Sequence, residues 1–202
     1  MDLFKYTAHE LHEKLVNKEI TAVELTNAVY DRIAAVDEQV NAYISLSKEE
    51  ALAKAAEVDA KIAAGEAIAP LAGIPVVFKD NINIYGQVTS CASKMLQGVE
   101  TVFDAHVTEE LRKEDAVFLG KANMAEFSIG NTTDNSFNGA VHNPWNLNCT
   151  TGGCATAAAV AAVVESAVID LLLPGVHVLQ LLFAPELHSE WHRHQTSFHI
   201  WI

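Results

Sequence analysis

The sequence predicts an α/β layer structure, on three observations. The N-terminal part carries helix starts with capping chemistry, two short apolar runs (Ile74 to Phe78 and Ala116 to Leu119) read as buried strands, and a helical stretch, Ala105 to Glu114, lies between those runs. Helix alternating with strand is the pattern of layered α/β folds.

The elements follow in order. Thr7 with Glu10, Thr21 with Glu24 and Ser47 with Glu50 each place a carboxylate three residues after a hydroxyl, the signature of a capping box. From Thr7, Leu11 and Leu15 form one helix face; from Thr21, Leu25, Ala28, Val29, Ile33 and Val36 form a longer one. The third helix, with Leu52, Ala55, Ala56 and Ile62 among Lys and Glu, ends near Ala64-Gly65. These helices read as scaffold, their mixed charges as a solvated face.

The run Ile74 to Phe78 is entered through Gly73 and Pro75 and reads as a buried strand. Lys79 follows, with polar Asp80 and Asn81 behind it. Open α/β sheets collect ligands and catalytic groups at such strand ends. An ammonium held there loses water, and desolvation favours the neutral amine that accepts a proton. A lysine at this place also serves simply to mark where a strand meets solvent, and the stretch by itself leaves both readings open.

Beyond a polar connection, Asn81 to Gly86, the segment Thr89 to Leu96 is rich in small residues, either a plain loop or a close lining for a site. Ala116 to Leu119 is the second strand, and Gly120-Lys121 is read as the turn that leaves it. Asn123 to Ser136 is dense in Asn, Ser and Thr, as in loops that present backbone and hydroxyl groups to substrates. Asn143-Pro144-Trp145-Asn146 is a turn signal. Thr150 to Ala155 then opens an Ala and Val helix to about Val168, with Gly152 and Gly153 at its start, where N–H groups and the helix dipole favour negative charge.

At 202 residues and 50% hydrophobic, the chain can bury a substantial core. A formal charge of -13 argues against direct binding of nucleic acid, which needs clustered Lys and Arg. Met1 to Lys5 lacks a basic start followed by an apolar stretch, so no signal peptide is expected. Thr156, Glu165 and Asp170 interrupt the apolar stretch around Ala155 to Val168, so no membrane span is expected there. A cytoplasmic protein follows, with Cys91, Cys149 and Cys154 as free thiols.

Leu71 to Ile82, Cys91-Ala-Ser-Lys-Met-Leu96, Gly120 to Phe127, Asn143-Pro-Trp145 and the Gly152-Gly153 turn come in the order seen in the amidase signature family, which the chain therefore resembles. Within that family the motifs look most like those of the A subunits of the tRNA-dependent amidotransferase, the glutaminase that feeds ammonia to misacylated Glu-tRNA(Gln) or Asp-tRNA(Asn). The resemblance implies the amidase-signature fold: N-terminal helices plus part of a mixed sheet flanked by helices, truncated. It divides the chain into an N-terminal helical region, 1–65, the N-terminal part of the amidase domain, 66–168, and a tail foreign to the family, 169–202.

The family's Ser-cisSer-Lys triad has a lysine base, a relay serine and an attacking serine, with backbone N–H groups stabilising the oxyanion. Lys79 matches the lysine and thereby becomes the base. Ser128, Ile129, Gly130, Gly152 and Gly153 are implied substrate-binding positions. The relay serine aligns with Cys154, whose thiol has longer bonds and a lower pKa than a hydroxyl. Gapless counting puts the attacking serine at Val178, where nothing matches, and neither Ser166 nor Ser189 sits in a glycine-rich turn. Little or no glutaminase activity is therefore expected of the chain alone.

The resemblance further implies a heterotrimer completed by a tRNA-binding B subunit plus a small C subunit, with glutamine as substrate. It puts ATP and Mg2+ on the partner subunit, with no cofactor in this chain. Alternatives are a stand-alone amidase and a non-catalytic binding fragment. His188, His192, His194 and His199, with Trp191 and Trp201, crowd the final segment. His188 and His192 share a helical face, but no glutamate stands between them as in a metalloprotease, and a foreign tail explains the segment better than a metal site.

Overall fold

The computed structural model describes residues 3–152, Ala157 and residues 169–171. Helix α1 (Ala8–Val16) starts at Thr7 and α2 (Ala22–Val40) at Thr21, and both form complete capping boxes. The start of α2 gains a second cap from α3 (Lys48–Ala64): Asp59 accepts from the Ala22 N–H at 2.7 Å and the Val23 N–H at 3.1 Å. Exposed donors at a helix start need such partners, and the positive end of the dipole favours a carboxylate there. The third box does not form. Ser47 makes no cap bond; its hydroxyl and the Glu50 carboxylate instead both accept from the Gln87 amide, at 3.1 and 3.0 Å. A tertiary donor has outcompeted the local one.

Four strands make the main sheet, side by side in the order β1 (Tyr43–Leu46), β3 (Val117–Ala122), β2 (Pro75–Lys79), β6 (Ile169–Leu171). Strand β2 (Pro75–Lys79) is central and every residue of it is buried. It runs parallel to β3 (Val117–Ala122), reached through α4 (His106–Lys113), and parallel to β6 (Ile169–Leu171), while β1 (Tyr43–Leu46) pairs antiparallel to β3. The mixed sheet and its flanking helices are those of an α/β fold. Strand β1 has no signature in the sequence, because a run as short as Tyr-Ile-Ser-Leu between two helices carries little periodicity. A hairpin of β4 (His142–Asn143) and β5 (Asn146–Thr150) closes over the Pro144-Trp145 turn.

Gly120-Lys121 is not a turn: β3 runs through it to Ala122. Gly120 has φ +147, and a Cβ there would lie 2.1 Å from the Ser45 carbonyl oxygen, so only glycine lets β1 approach this closely. The pairing with β2 shifts register between Val76 and Val77, opposite this glycine, and the bulge carries Lys121 into the interior instead of out to solvent.

The core joins Leu11, Leu15, Leu25, Val29 and Ile33 of the first helices, Ala51, Ala55 and Val58 of α3, and the Val76, Val77 and Phe78 side chains of β2. Each large side chain fully buried contributes roughly 1.5–3 kcal/mol. Gly73, at φ +76, brings the entry to β2 against Ala22, Leu15 and Val58. The Tyr30 hydroxyl of α2 donates to the Leu119 carbonyl of β3 at 2.9 Å, tying helix to sheet.

The helix expected from Thr150 differs in its start, because Thr150 closes β5; Ala157 is helical and buried, and the other residues expected in that helix past Gly152 lie outside the described residues. So does the terminal histidine segment. Among the described residues no helix is long and apolar enough to cross a membrane, and no group of three or more His, Cys, Asp or Glu is placed to hold a metal ion. Cys91 and Cys149 are free thiols.

Candidate active site

Lys79 is the last residue of β2 and has no solvent exposure. Its Nζ donates to Ser128 Oγ at 2.9 Å. Ser128 ends a single 3-10 turn, Glu126–Ser128, in the Asn- and Ser-rich connection after β3. Phe127 and Ser128 both sit in the left-handed region, at φ 52 and 61, a conformation that costs a residue with a Cβ about 1 kcal/mol or more. The surroundings hold it in place. Phe127 N–H donates to the Cys91 carbonyl at 3.0 Å, Ser128 N–H to Ala125 at 2.9 Å, and Ile129 N–H to Glu126 at 2.9 Å. Asn135 accepts from the Glu126 N–H at 3.0 Å and donates to the Ile129 carbonyl at 2.8 Å.

Hydrogen-bonded to this turn through the Cys91 carbonyl is a second left-handed one. Cys91 and Ala92 have φ 50 and 53 and wrap the buried Asp80 carboxylate. Asp80 Oδ2 accepts from the Ser90 hydroxyl, the Ser90 N–H at 3.1 Å and the Ala92 N–H at 3.2 Å. Oδ1 lies 3.9 Å from Lys121 Nζ, which also donates to the Ile82 carbonyl and, at 2.9 Å, to Thr89 Oγ1. Burial raises the Asp80 carboxyl above its ordinary range, against the pull of Ser90, Lys121 and the Ala92 N–H. Burial pushes the Lys121 amine down to about 8, with Asp80 opposing.

Of the residues singled out in sequence, Lys79 and Ser128 meet directly. Ile129 and Gly130 follow Ser128 and are exposed. Gly152 is half-buried just past β5, with φ +69, and Gly153 and Cys154 lie outside the described residues. Sequence reasoning missed Asp80, Lys121 and Glu126 as parts of this arrangement. The small-residue composition of Thr89 to Leu96 was the available signal: it fits a turn that folds tightly round a carboxylate.

With this geometry established, comparison with known proteins gives the lineage. The family model described as Amidase matches residues 24–169, which include β1 to β5, Lys79 and Ser128. The A subunit of the glutamyl-tRNA(Gln) amidotransferase of Clostridium botulinum (strain Kyoto / Type A2) is 48% identical over 171 residues, 85% of this chain and 35% of that protein. The protein of the same name from Desulforamulus reducens is 46% identical over the same share of each chain. The structure of the native peptide amidase from Stenotrophomonas maltophilia superposes with a TM-score of 0.74 at 33% identity, covering 81% of this chain and 35% of that one. The chain thus spans about 35% of the length of the curated relatives it matches. A match across nearly all the described strands, at this identity, means that the chain belongs to the amidase signature family.

Proposed function

We propose that this chain carries the base of an amide-hydrolysing site in an amidotransferase of the kind its relatives form, where it takes the place of the A subunit. The reaction is hydrolysis of the side-chain amide of glutamine to glutamate and ammonia. The observation that carries the reading is Lys79: an amine fully buried at the end of the central strand, with its Nζ on a hydroxyl held by a left-handed turn. A desolvated amine in hydrogen-bond reach of hydroxyls suits a general base better than a structural cation does. The identity to the amidotransferase subunits of C. botulinum and D. reducens supports glutamine as substrate.

In this reading Cys154 takes the relay position, and Ser128, Ile129, Gly130, Gly152 and Gly153 lie along the substrate. The partners are a tRNA-binding B subunit, which would hold ATP and Mg2+, and a small C subunit, in the cytoplasm. No segment of the 202 residues matches the family's glycine-serine nucleophile, so the chain alone releases little or no ammonia. The test is ammonia release from glutamine by the purified chain, with and without its B and C partners. Turnover at the level of the relatives would show that another residue attacks, and failure to co-purify with B and C would remove the amidotransferase assignment.

A second reading, a stand-alone amidase, is favoured by the structural likeness to the peptide amidase. Release of ammonia from C-terminally amidated peptides, with none from glutamine, would select it.

A further inference from the structure

Two left-handed turns, at Cys91–Ala92 and at Phe127–Ser128, are hydrogen-bonded to each other near Lys79, and a side-chain bond that does not involve the lysine cross-links them. Ser93, with no solvent exposure, donates its hydroxyl proton to Glu126 Oε1 at 2.6 Å. Glu126 opens the turn whose last residue is Ser128. One residue along, the Phe127 N–H reaches the Cys91 carbonyl, and the Phe137 N–H reaches the Ala92 carbonyl at 2.9 Å. The 90–93 turn is itself clamped by Asp80, the residue next to Lys79 in sequence. Alongside those backbone bonds, the hydroxyl to carboxylate bond completes a side-chain path between the last residue of β2 and the residue after it: Lys79 to Ser128, Ser128 to Glu126 through the turn, Glu126 to Ser93, Ser93 through the turn to Asp80.

We infer that Ser93 and Glu126 are positioning residues for the amidase site: their hydrogen bond adds to the backbone and Asn135 bonds of the left-handed 126–128 turn and sets where that turn places Ser128 Oγ against Lys79 Nζ. The inference rests on the reading of Lys79 as the site's base. A hydrogen bond to a charged acceptor is short and strong, and a half-buried one escapes much of the competition from water. The Glu126 carboxylate makes no ion pair among the described residues, and the bond from Ser93 is the hydrogen bond its side chain makes there. Ser93 Oγ also accepts from the Met95 N–H at 3.3 Å, so the hydroxyl is oriented with its proton toward Glu126.

The test follows the lysine itself, because it needs no turnover. The full chain is labelled with 13C at lysine Cε, the Lys79 and Lys121 resonances are assigned with Lys79→Arg and Lys121→Arg, and Lys79 is followed between about pH 7 and about pH 10. In Ser93→Ala and Glu126→Ala the Lys79 resonance and its titration shift, by about half a pH unit, the scale of one hydrogen bond, while Lys121 stays in place. Glu126→Gln, which keeps an acceptor for the Ser93 hydroxyl, restores the parent behaviour. An unmoved Lys79 in the folded Ser93→Ala and Glu126→Ala chains overturns the inference, and so does a Lys121 shift of equal size, which would report general loosening. Should Ser93→Ala fail to fold, the half-buried Glu126 pair decides alone. Ser128→Ala separates the two readings: if it too leaves Lys79 unmoved, the Lys79 to Ser128 contact, and with it the base reading, falls.

Discussion

Lys79 and Lys121 sit on neighbouring strands, both without solvent exposure, and project from opposite faces of the sheet. The register decides this. Lys79 pairs with Ala122 while Lys121 pairs with Phe78, and residues one step apart along a strand face opposite ways. One lysine meets the Ser128 hydroxyl; the other supports the Asp80 carboxylate, the Ile82 carbonyl and Thr89.

Substitution by methionine should separate the two roles. Lys79→Met exchanges a desolvated amine for an apolar chain of similar length, and the half-buried Ser128 hydroxyl can turn to water, so its cost in unfolding free energy is the smaller of the two. Lys121→Met leaves the buried Asp80 carboxylate without its cation and the Ile82 carbonyl without that donor, and costs about 3 kcal/mol, the lower end of the range for breaking a buried pair because the ion-pair contact is loose. Urea denaturation of both variants measures this; equal losses would contradict it.

Stability should also depend on pH through Lys121. Its folded pKa of about 8 lies below the roughly 10.4 of an unfolded lysine, so between those values the unfolded chain binds more protons. Stability from this group therefore rises with pH across that window, by at most about 1.4 kcal/mol per pH unit. Tyr30 and Cys91, both raised chiefly by burial, work the other way as the unfolded chain loses their protons. Subtracting the profile of Lys121→Met isolates the lysine, and a difference that stays flat from about pH 8 to about pH 10 would refute the burial account.

Glycine substitutions should fall into two classes. Gly120→Ala drives a Cβ into the Ser45 carbonyl, and we expect a loss above about 3 kcal/mol or no folded protein. Gly98→Ala meets open space at φ +77 and suffers only the left-handed backbone, about 1–2 kcal/mol. Thermal midpoints rank them.

The capping boxes make a matching pair. Thr21→Ala deletes a complete box and should cost about 1 kcal/mol. Ser47→Ala deletes a hydroxyl that caps nothing and whose loss leaves the Gln87 amide still bonded to Glu50, so it should cost less than Thr21→Ala, about 0.5 kcal/mol. Chemical denaturation of the two side by side is sufficient.

Local rules made much of this protein readable in one dimension. Thr7 with Glu10 and Thr21 with Glu24 act within a single turn of chain, Gly65 stops α3 by its own backbone freedom, and the apolar run before Lys79 needs only a period to be recognised as buried. The motif order carried the family in the same way. What the tertiary structure decided are the matters that depend on distant neighbours. Gln87 takes the Ser47 and Glu50 groups that proximity in sequence assigned to each other, and the approach of β1 turns Gly120 from a turn residue into a strand residue and Lys121 into a buried one. Asp80 closes a turn whose loop partner, Glu126, lies far along the chain. Periodicity and capping are encoded over a few residues, whereas the partner of a buried polar group is chosen by whichever donor or acceptor the fold brings within reach, and a sequence has no distances in it.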